Sequence, residues 1–182
     1  PRINYALASR TLFFDVRKRQ WSNQILEKLD IDYRLLPKCY ESQEITGQIT
    51  REAAMLTGLK PGTLVVGGAG DQAAQAVGVG IIEEGLASFS IGTSGVVSTS
   101  LDEPKYDSRG RLVTFCHAVP HKWHVMGVVQ SAGESLQWFL NNLGADEISE
   151  ARTQGIDPYE ILIQKASTVK AGSEGLIFLP YL

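Results

Sequence analysis

The sequence predicts an α/β protein made of two differently patterned stretches, and three observations lead there. Residues 63–67 form an apolar, β-branched run that opens through Gly67-Gly68-Ala69-Gly70-Asp71-Gln72 into an alanine-rich helix at about 73–79. Beyond Glu83-Glu84-Gly85 the pattern changes, and 87–91, 95–100, 112–118 and 122–130 read as strands joined by short turns. Helical spacing then returns after residue 131. A domain boundary is therefore expected at 80–86.

Each element has a local reason. Residues 11–16 (TLFFDV) read as a strand ended by the basic turn Arg17-Lys18-Arg19. Ser22 is placed to cap a short helix, with Trp21 before it and Leu26 after it at the spacing of a hydrophobic staple. Ile25, Leu26 and Leu29 supply that helix's buried face. Thr50 caps a second helix through Ala53, Ala54 and Leu56, and Gly58 stops it. The 63–67 run suits burial on both faces. Ser131-Ala132-Gly133-Glu134 fits a capping box ahead of Leu136, Phe139, Leu140 and Leu143, and Gly144 closes that helix. Asp157-Pro158-Tyr159-Glu160 starts another, with proline at the first helical position. Residues 145–155 carry neither period clearly.

Composition narrows the function. Of 182 residues, 43% are hydrophobic, and 17 basic against 20 acidic side chains leave a net charge of −3. A basic stripe is missing, which disfavours nucleic acid and membrane surfaces as partners. The apolar runs fall far short of the roughly 18 residues that a membrane span needs. Cys39 and Cys116 belong to no C-x-x-C pair, so two buried thiols in a reducing cytosol are expected rather than a disulfide scaffold or thiolate metal site. The start at Pro1 and the apolar end Leu176-Ile177-Phe178-Leu179-Pro180-Tyr181-Leu182 both read as cuts, so a piece of a longer polypeptide is expected.

Two motifs carry chemistry. Gly68-Ala69-Gly70-Asp71-Gln72-Ala73 matches G-x-G-x-x-A between strand and helix. The next strand, 87–91, offers no acidic residue for a ribose, and Asp71 would repel a pyrophosphate, so a dinucleotide is disfavoured. Asp71 is then either a helix N-cap or a general base at a strand's carboxyl end, with Gln72 beside it as a polyol-orienting amide. The second motif, Gly92-Thr93-Ser94-Gly95, is either a plain hairpin turn or an anion nest with two hydroxyl donors. His117, His121 and His124 fall within eight residues, but the Pro120 turn splits their directions and no Cys or Glu completes a ligand set, so no metal ligands are assigned. Trp21, Trp123 and Trp138 read as buried side chains.

In this order, residues 63–74 (TLVVGGAGDQAA) and 90–95 (SIGTSG) resemble the FGGY carbohydrate kinases. The stretches 114–120, 123–127 and 131–133, together with 174–182, are similar to the xylulose kinase branch of that family. The resemblance covers essentially the whole chain. It implies a ribonuclease-H-like (actin-like ATPase) fold with sugar and ATP held between two domains. Residues 1–84 correspond to the end of the N-terminal, sugar-binding domain, and 85–182 to the start of the C-terminal, ATP-binding domain. Asp71 is then the base for the sugar hydroxyl and Gln72 a sugar contact. Gly92, Thr93 and Ser94 match the loop contacting the ATP phosphates, and Gly133 and Gln137 match positions near the adenosine. The implied cofactors are ATP and Mg2+, the implied partners are small molecules, and a homodimer is compatible. Two residues depart from the family pattern. Glu134 stands where relatives often have a small residue, and Leu7 replaces a common polar one. The metal-linked aspartate segment and the later glycine-rich adenosine segment are expected outside these 182 residues.

Overall fold

A computed structural model describes residues 1–181. In chain order the elements are β1 (Arg2–Asn4), α1 (Tyr5–Ala8), β2 (Phe14–Asp15), β3 (Gln20–Trp21), α2 (Asn23–Lys28), β4 (Lys38–Tyr40), β5 (Ile45–Gln48) and α3 (Arg51–Thr57). There follow β6 (Leu64–Val66), α4 (Asp71–Gly78), β7 (Ala87–Ile91), β8 (Gly95–Leu101), β9 (Val113–Cys116) and β10 (Trp123–Val129). The described chain closes with α5 (Gly133–Leu143), α6 (Ala145–Gln154) and α7 (Pro158–Ser167). One compact unit comprises Pro1–Ser88 and Val97–Gly127, and a second holds Phe89–Val96 and the residues from Val128 onward. Strands β7, β8, β10 and β9 form a sheet in that order.

The core of the first unit gathers Ala8, Phe14, Trp21, Leu26, Leu101, Cys116 and Trp123. Phe14 meets Trp21 edge to face at 5.4 Å, a geometry that aromatic quadrupoles favour. Trp21 Nε1 donates to Pro37 O and Trp123 Nε1 to Val16 O, so both buried indoles keep their hydrogen bonds. The staple expected around Ser22 forms: its hydroxyl accepts from Ile25 N–H, and Trp21 and Leu26 enter the same core. Of that helix's apolar face only Leu26 is buried, because α2 is six residues long and Leu29 lies past its end, exposed. Thr50 and Gly58 cap α3 as expected, Gly58 in the left-handed conformation.

Several expectations are corrected. The 11–16 strand shrinks to Phe14–Asp15, a short antiparallel hairpin with β3, because Leu12 adopts a positive φ of 65° that breaks extension. Strand β6 is exposed at all three residues rather than buried on both faces, since among the described residues its one partner is β5. Residues 145–155, ambiguous in pattern, form α6 and a left-handed Gly155 stop. The stripe Leu136, Phe139, Leu140, Leu143 buries only Leu140. Trp21 and Trp123 are buried, whereas Trp138 is partly exposed beside Phe178.

The histidines divide. His121 is exposed in the turn at positive φ, while His117 and His124 are buried with ring centres 5.5 Å apart. His117 Nδ1 accepts from Val119 N–H, leaving Nε2–H to donate to Ile81 O. His124 is 2% exposed and its Nε2 has no hydrogen-bond partner among the described residues. Burial, with the neighbouring His117 and Arg10 adding to it, pushes the His124 pKa down to about 4. Burial also lowers His117, and Lys122 acts in the same direction there. An unfolded imidazole titrates near 6.5, so the folded state binds fewer protons between the two values. Stability is therefore full above pH 6.5 and falls as the pH drops toward 4, by up to about 3 kcal/mol from His124. Chemical denaturation at pH 7 and at pH 4 should show that loss, and His124→Phe should flatten it; an unchanged slope would refute the assignment.

Candidate active site

The first site is a corner built by three backbone ties. After β6, Gly67 N–H donates to Glu44 O at 2.9 Å and Gly68 N–H to Ser42 O at 2.9 Å. Asn4, 4% exposed, donates from Nδ2 to Gly67 O at 3.1 Å while its Oδ1 accepts Leu7 N–H at 2.8 Å as the cap of α1. One buried amide thus holds the start of α1 and the corner together. Gly67 has no alternative there, since a Cβ would stand 2.5 Å from Glu41 O. Behind the corner an alanine seam of Ala6, Ala73 and Ala118, with Ala69 packed on it, lets α4 approach α1 closely.

Gly70, not Asp71, is the N-cap of α4; it offers no side chain, and a Cβ on it would press on Leu7 Cδ2 at 3.2 Å. Asp71 is the first helical residue, exposed, with Oδ1 accepting Gln72 N–H at 2.8 Å. The sequence alternative of an N-cap is corrected accordingly: the cap position falls on Gly70, buried beside Leu7, and Asp71 is one residue inside the helix. A carboxylate in a helix's first turn sits well against the positive end of the dipole. Among the described residues Asp71 Oδ2 makes no hydrogen bond. Gln72 follows, half-buried, its side-chain amide likewise unengaged. The departure at Leu7 puts methyl groups, not a polar group, beside the corner.

The second site is the turn between β7 and β8. Gly92 N–H donates to Ser94 O at 2.8 Å. The start of α5 lies on this turn: Ala132 N–H donates to Thr93 O at 2.7 Å and Gly133 N–H to Gly92 O at 3.0 Å. The capping box expected at Ser131 is not formed; the cap residue is Ala132, with no side-chain hydrogen bond. Carbonyls of the turn satisfy the orphan N–H groups in its place. The helix N-terminus is therefore already occupied. What is left over are the N–H groups and hydroxyls of Thr93 and Ser94, which make no hydrogen bond to other described residues, four donors on one turn. Such a donor set fits an anionic oxygen. Thus Gly92, Thr93, Ser94 and Gly133 are brought together, while Gln137 is one turn further along α5 and exposed, as is Glu134.

Among the described residues no group of three or more His, Cys, Asp or Glu side chains converges on a point. Cys39 and Cys116 are free and touch one core; burial pushes both thiols up to about 11, with Cys116 adding to Cys39. Sequence reasoning misses Asn4. Its spacing to Leu7 is that of an N-cap, but a four-residue helix shows no periodicity to advertise it.

The contact between α5 and the turn is tight at Gly133, where a Cβ would stand 2.5 Å from Gly92 O. Since the obstacle is backbone, the turn must move. Gly133→Ala should cost about 1–3 kcal/mol in thermal unfolding; an unchanged melting temperature would refute the close packing.

Comparison with known proteins adds the family. The model for the N-terminal domain of the FGGY family of carbohydrate kinases matches residues 2–78. The chain is 40% identical over 176 residues to the xylulose kinase of Lactococcus lactis subsp. lactis, covering 96% of this chain and 33% of that protein. It is 36% identical over 181 residues to the gluconokinase of Bacillus subtilis, covering 99% of this chain and 35% of that protein. Among solved structures, a ligand-bound xylulose kinase from Lactobacillus acidophilus superposes with a TM-score of 0.85 at 28% identity, over 100% of this chain and 35% of that one. Gluconate kinase from Lactobacillus acidophilus gives a TM-score of 0.85 at 27% identity over the same shares. The chain spans about a third of the length of these relatives. Its fold is the ribonuclease-H-like, actin-like ATPase fold of these sugar kinases. In sequence and in structure alike, the chain is similar to the FGGY family of carbohydrate kinases, whose N-terminal-domain model matches residues 2–78.

Proposed function

We propose that the polypeptide carrying these residues is an ATP-dependent sugar kinase, with D-xylulose as acceptor and D-xylulose 5-phosphate as product. The observation that carries this reading is Asp71, a solvent-facing carboxylate with one free oxygen on a glycine corner at the start of a helix. In the proposed reaction Asp71 takes the proton from the sugar hydroxyl. The hydroxyl oxygen then bonds to the γ-phosphorus in line with the departing ADP. Gln72 orients the sugar by hydrogen bonding. The free donors of Thr93 and Ser94 hold phosphoryl oxygens of ATP, with the Gly92 carbonyl tying the loop to the start of α5. Gly133 and Gln137 line the adenosine side. Magnesium would neutralise phosphate charge in such a reaction; its ligands are not proposed among these residues. On this reading residues 1–84 belong to the sugar-binding domain and 85–182 to the ATP-binding domain. Two free thiols fit a reducing cytoplasm.

A second acceptor, gluconate, is favoured by one observation: the chain resembles a gluconate kinase as closely in structure, with TM-scores of 0.85 for both. A coupled assay of ADP release by the full-length polypeptide, run on xylulose, gluconate, ribulose and glycerol, separates the acceptors. Asp71→Asn should lower kcat by about 10²–10⁴-fold with sugar binding largely kept. Retention of more than about a tenth of the rate would remove Asp71 from the role of base.

A further inference from the structure

Arg10 lies directly behind the corner that carries Asp71. Its backbone is held by Ser9, 4% exposed, whose hydroxyl donates to Ala6 O at 2.9 Å and accepts Cys116 N–H at 3.1 Å. That tie fixes the end of α1 against β9. The Arg10 guanidinium then stands over the Phe115 ring, 4.5 Å from its centre. Its Nε lies 3.7 Å from where a Cβ on Gly70 would be, and Gly70 is the residue before Asp71. Nη2 is buried without a hydrogen-bond partner, and among the described residues no carboxylate pairs with the group.

Arg19 is the informative contrast. It too stacks on aromatic rings, those of Tyr5 and Trp123, yet it is fully engaged: Glu41 accepts at 2.8 and 2.9 Å and Lys122 O at 3.2 Å. Its charge is explained by structure alone. That of Arg10 is not, because a methionine would fill the same space without desolvating an unpaired cation. What the methionine would lack is a fixed positive charge on the inner side of the Gly70–Asp71 corner. Phe115 supplies the pin: it holds the guanidinium by cation–π attraction, and His124 packs edge to face on the same ring at 5.9 Å.

We propose that Arg10 is a positioning residue for Asp71: its guanidinium, pinned on Phe115 and packed against Gly70, sets the helix start and orients the Asp71 carboxylate toward the sugar hydroxyl. This rests on the kinase reading of Asp71. The test uses the full-length polypeptide with Arg10→Met, Arg10→Lys, Asp71→Asn and the double variant Arg10→Met/Asp71→Asn. Arg10→Met should lower kcat by about 10- to 100-fold, while KM for ATP and the sugar dissociation constant stay within about twofold. Arg10→Lys, which keeps charge but not the planar fork, should recover part of the loss. The double variant should be no slower than Asp71→Asn alone, since Arg10 acts through that carboxylate. Wild-type kcat in Arg10→Met, or losses that multiply in the double variant, would overturn the inference. Should Arg10→Met fail to fold, Arg10→Lys decides: lowered kcat at an unchanged melting temperature supports the role, and wild-type kcat overturns it. Wild-type protein without sugar-dependent ADP release would instead overturn the kinase reading, and this inference with it.

Discussion

A single buried amide governs the geometry of the Asp71 corner. Asn4 caps α1 with its oxygen and holds the carbonyl of Gly67 with its nitrogen, so two segments 63 residues apart move as one. A buried amide that lost either partner would pay the desolvation of an orphaned polar group, about 1–3 kcal/mol. The corner cannot drift without breaking that bond or those of Gly67 and Gly68 to Glu44 and Ser42. The alanine seam serves the same end from the other side, bringing α4 to α1 with no side chain long enough to adjust. On the proposed reading of Asp71 as base, rigidity matters because a proton acceptor must stay within hydrogen-bond reach of the group it deprotonates.

The second unit solves a related problem by another route. A helix start leaves several N–H groups without partners. In α5 these are met by the carbonyls of Gly92 and Thr93, so the helix serves as a support for the turn. This arrangement turns the carbonyls of Gly92 and Thr93 toward the helix and leaves the N–H groups and hydroxyls of Thr93 and Ser94 unspent. It also explains one glycine: where the two backbones touch, a Cβ on Gly133 would stand 2.5 Å from the Gly92 carbonyl and has nowhere to go. The capping-box pattern of Ser131 and Glu134 is thus present in sequence and unused in structure.

Charge is handled unevenly, and the unevenness is informative. Arg19 is balanced by Glu41, and Lys122 pairs with Asp102. Lys165 bridges α7 to Glu147 and Glu150 of α6. These are structural ties, and the more exposed ones contribute little. His117 and His124 stay buried as neutral rings, His124 with the positive Arg10 near it, so folding favours neutrality there. Beside the Asp71 corner, by contrast, Arg10 has a buried guanidinium nitrogen without a partner among the described residues.

Much of the chain was legible because its cues are local. Thr50 with Gly58, Ser22 with Leu26, and Asp157 with Pro158 mark their helices through contacts two to four residues away. The glycine corner before Asp71 and the Gly92-Thr93-Ser94-Gly95 turn were legible for the same reason, since glycine placement encodes backbone shape. Asp71 as N-cap and Ser131 as cap failed because the fold puts Gly70, beside Leu7, and Ala132, bonded to the Thr93 carbonyl, in the cap positions. The exposure of β6 and the short β2 depended on which strands lie alongside, and residue pattern does not report that. The sequence by itself determined the candidate residues and the local bends that present them. Only the tertiary structure decided which glycine caps which helix, that Asn4 ties the corner, and that Arg10 stands behind it unpaired. Those outcomes depend on hydrogen bonds and van der Waals contacts between segments distant in the chain, and no local spacing encodes them.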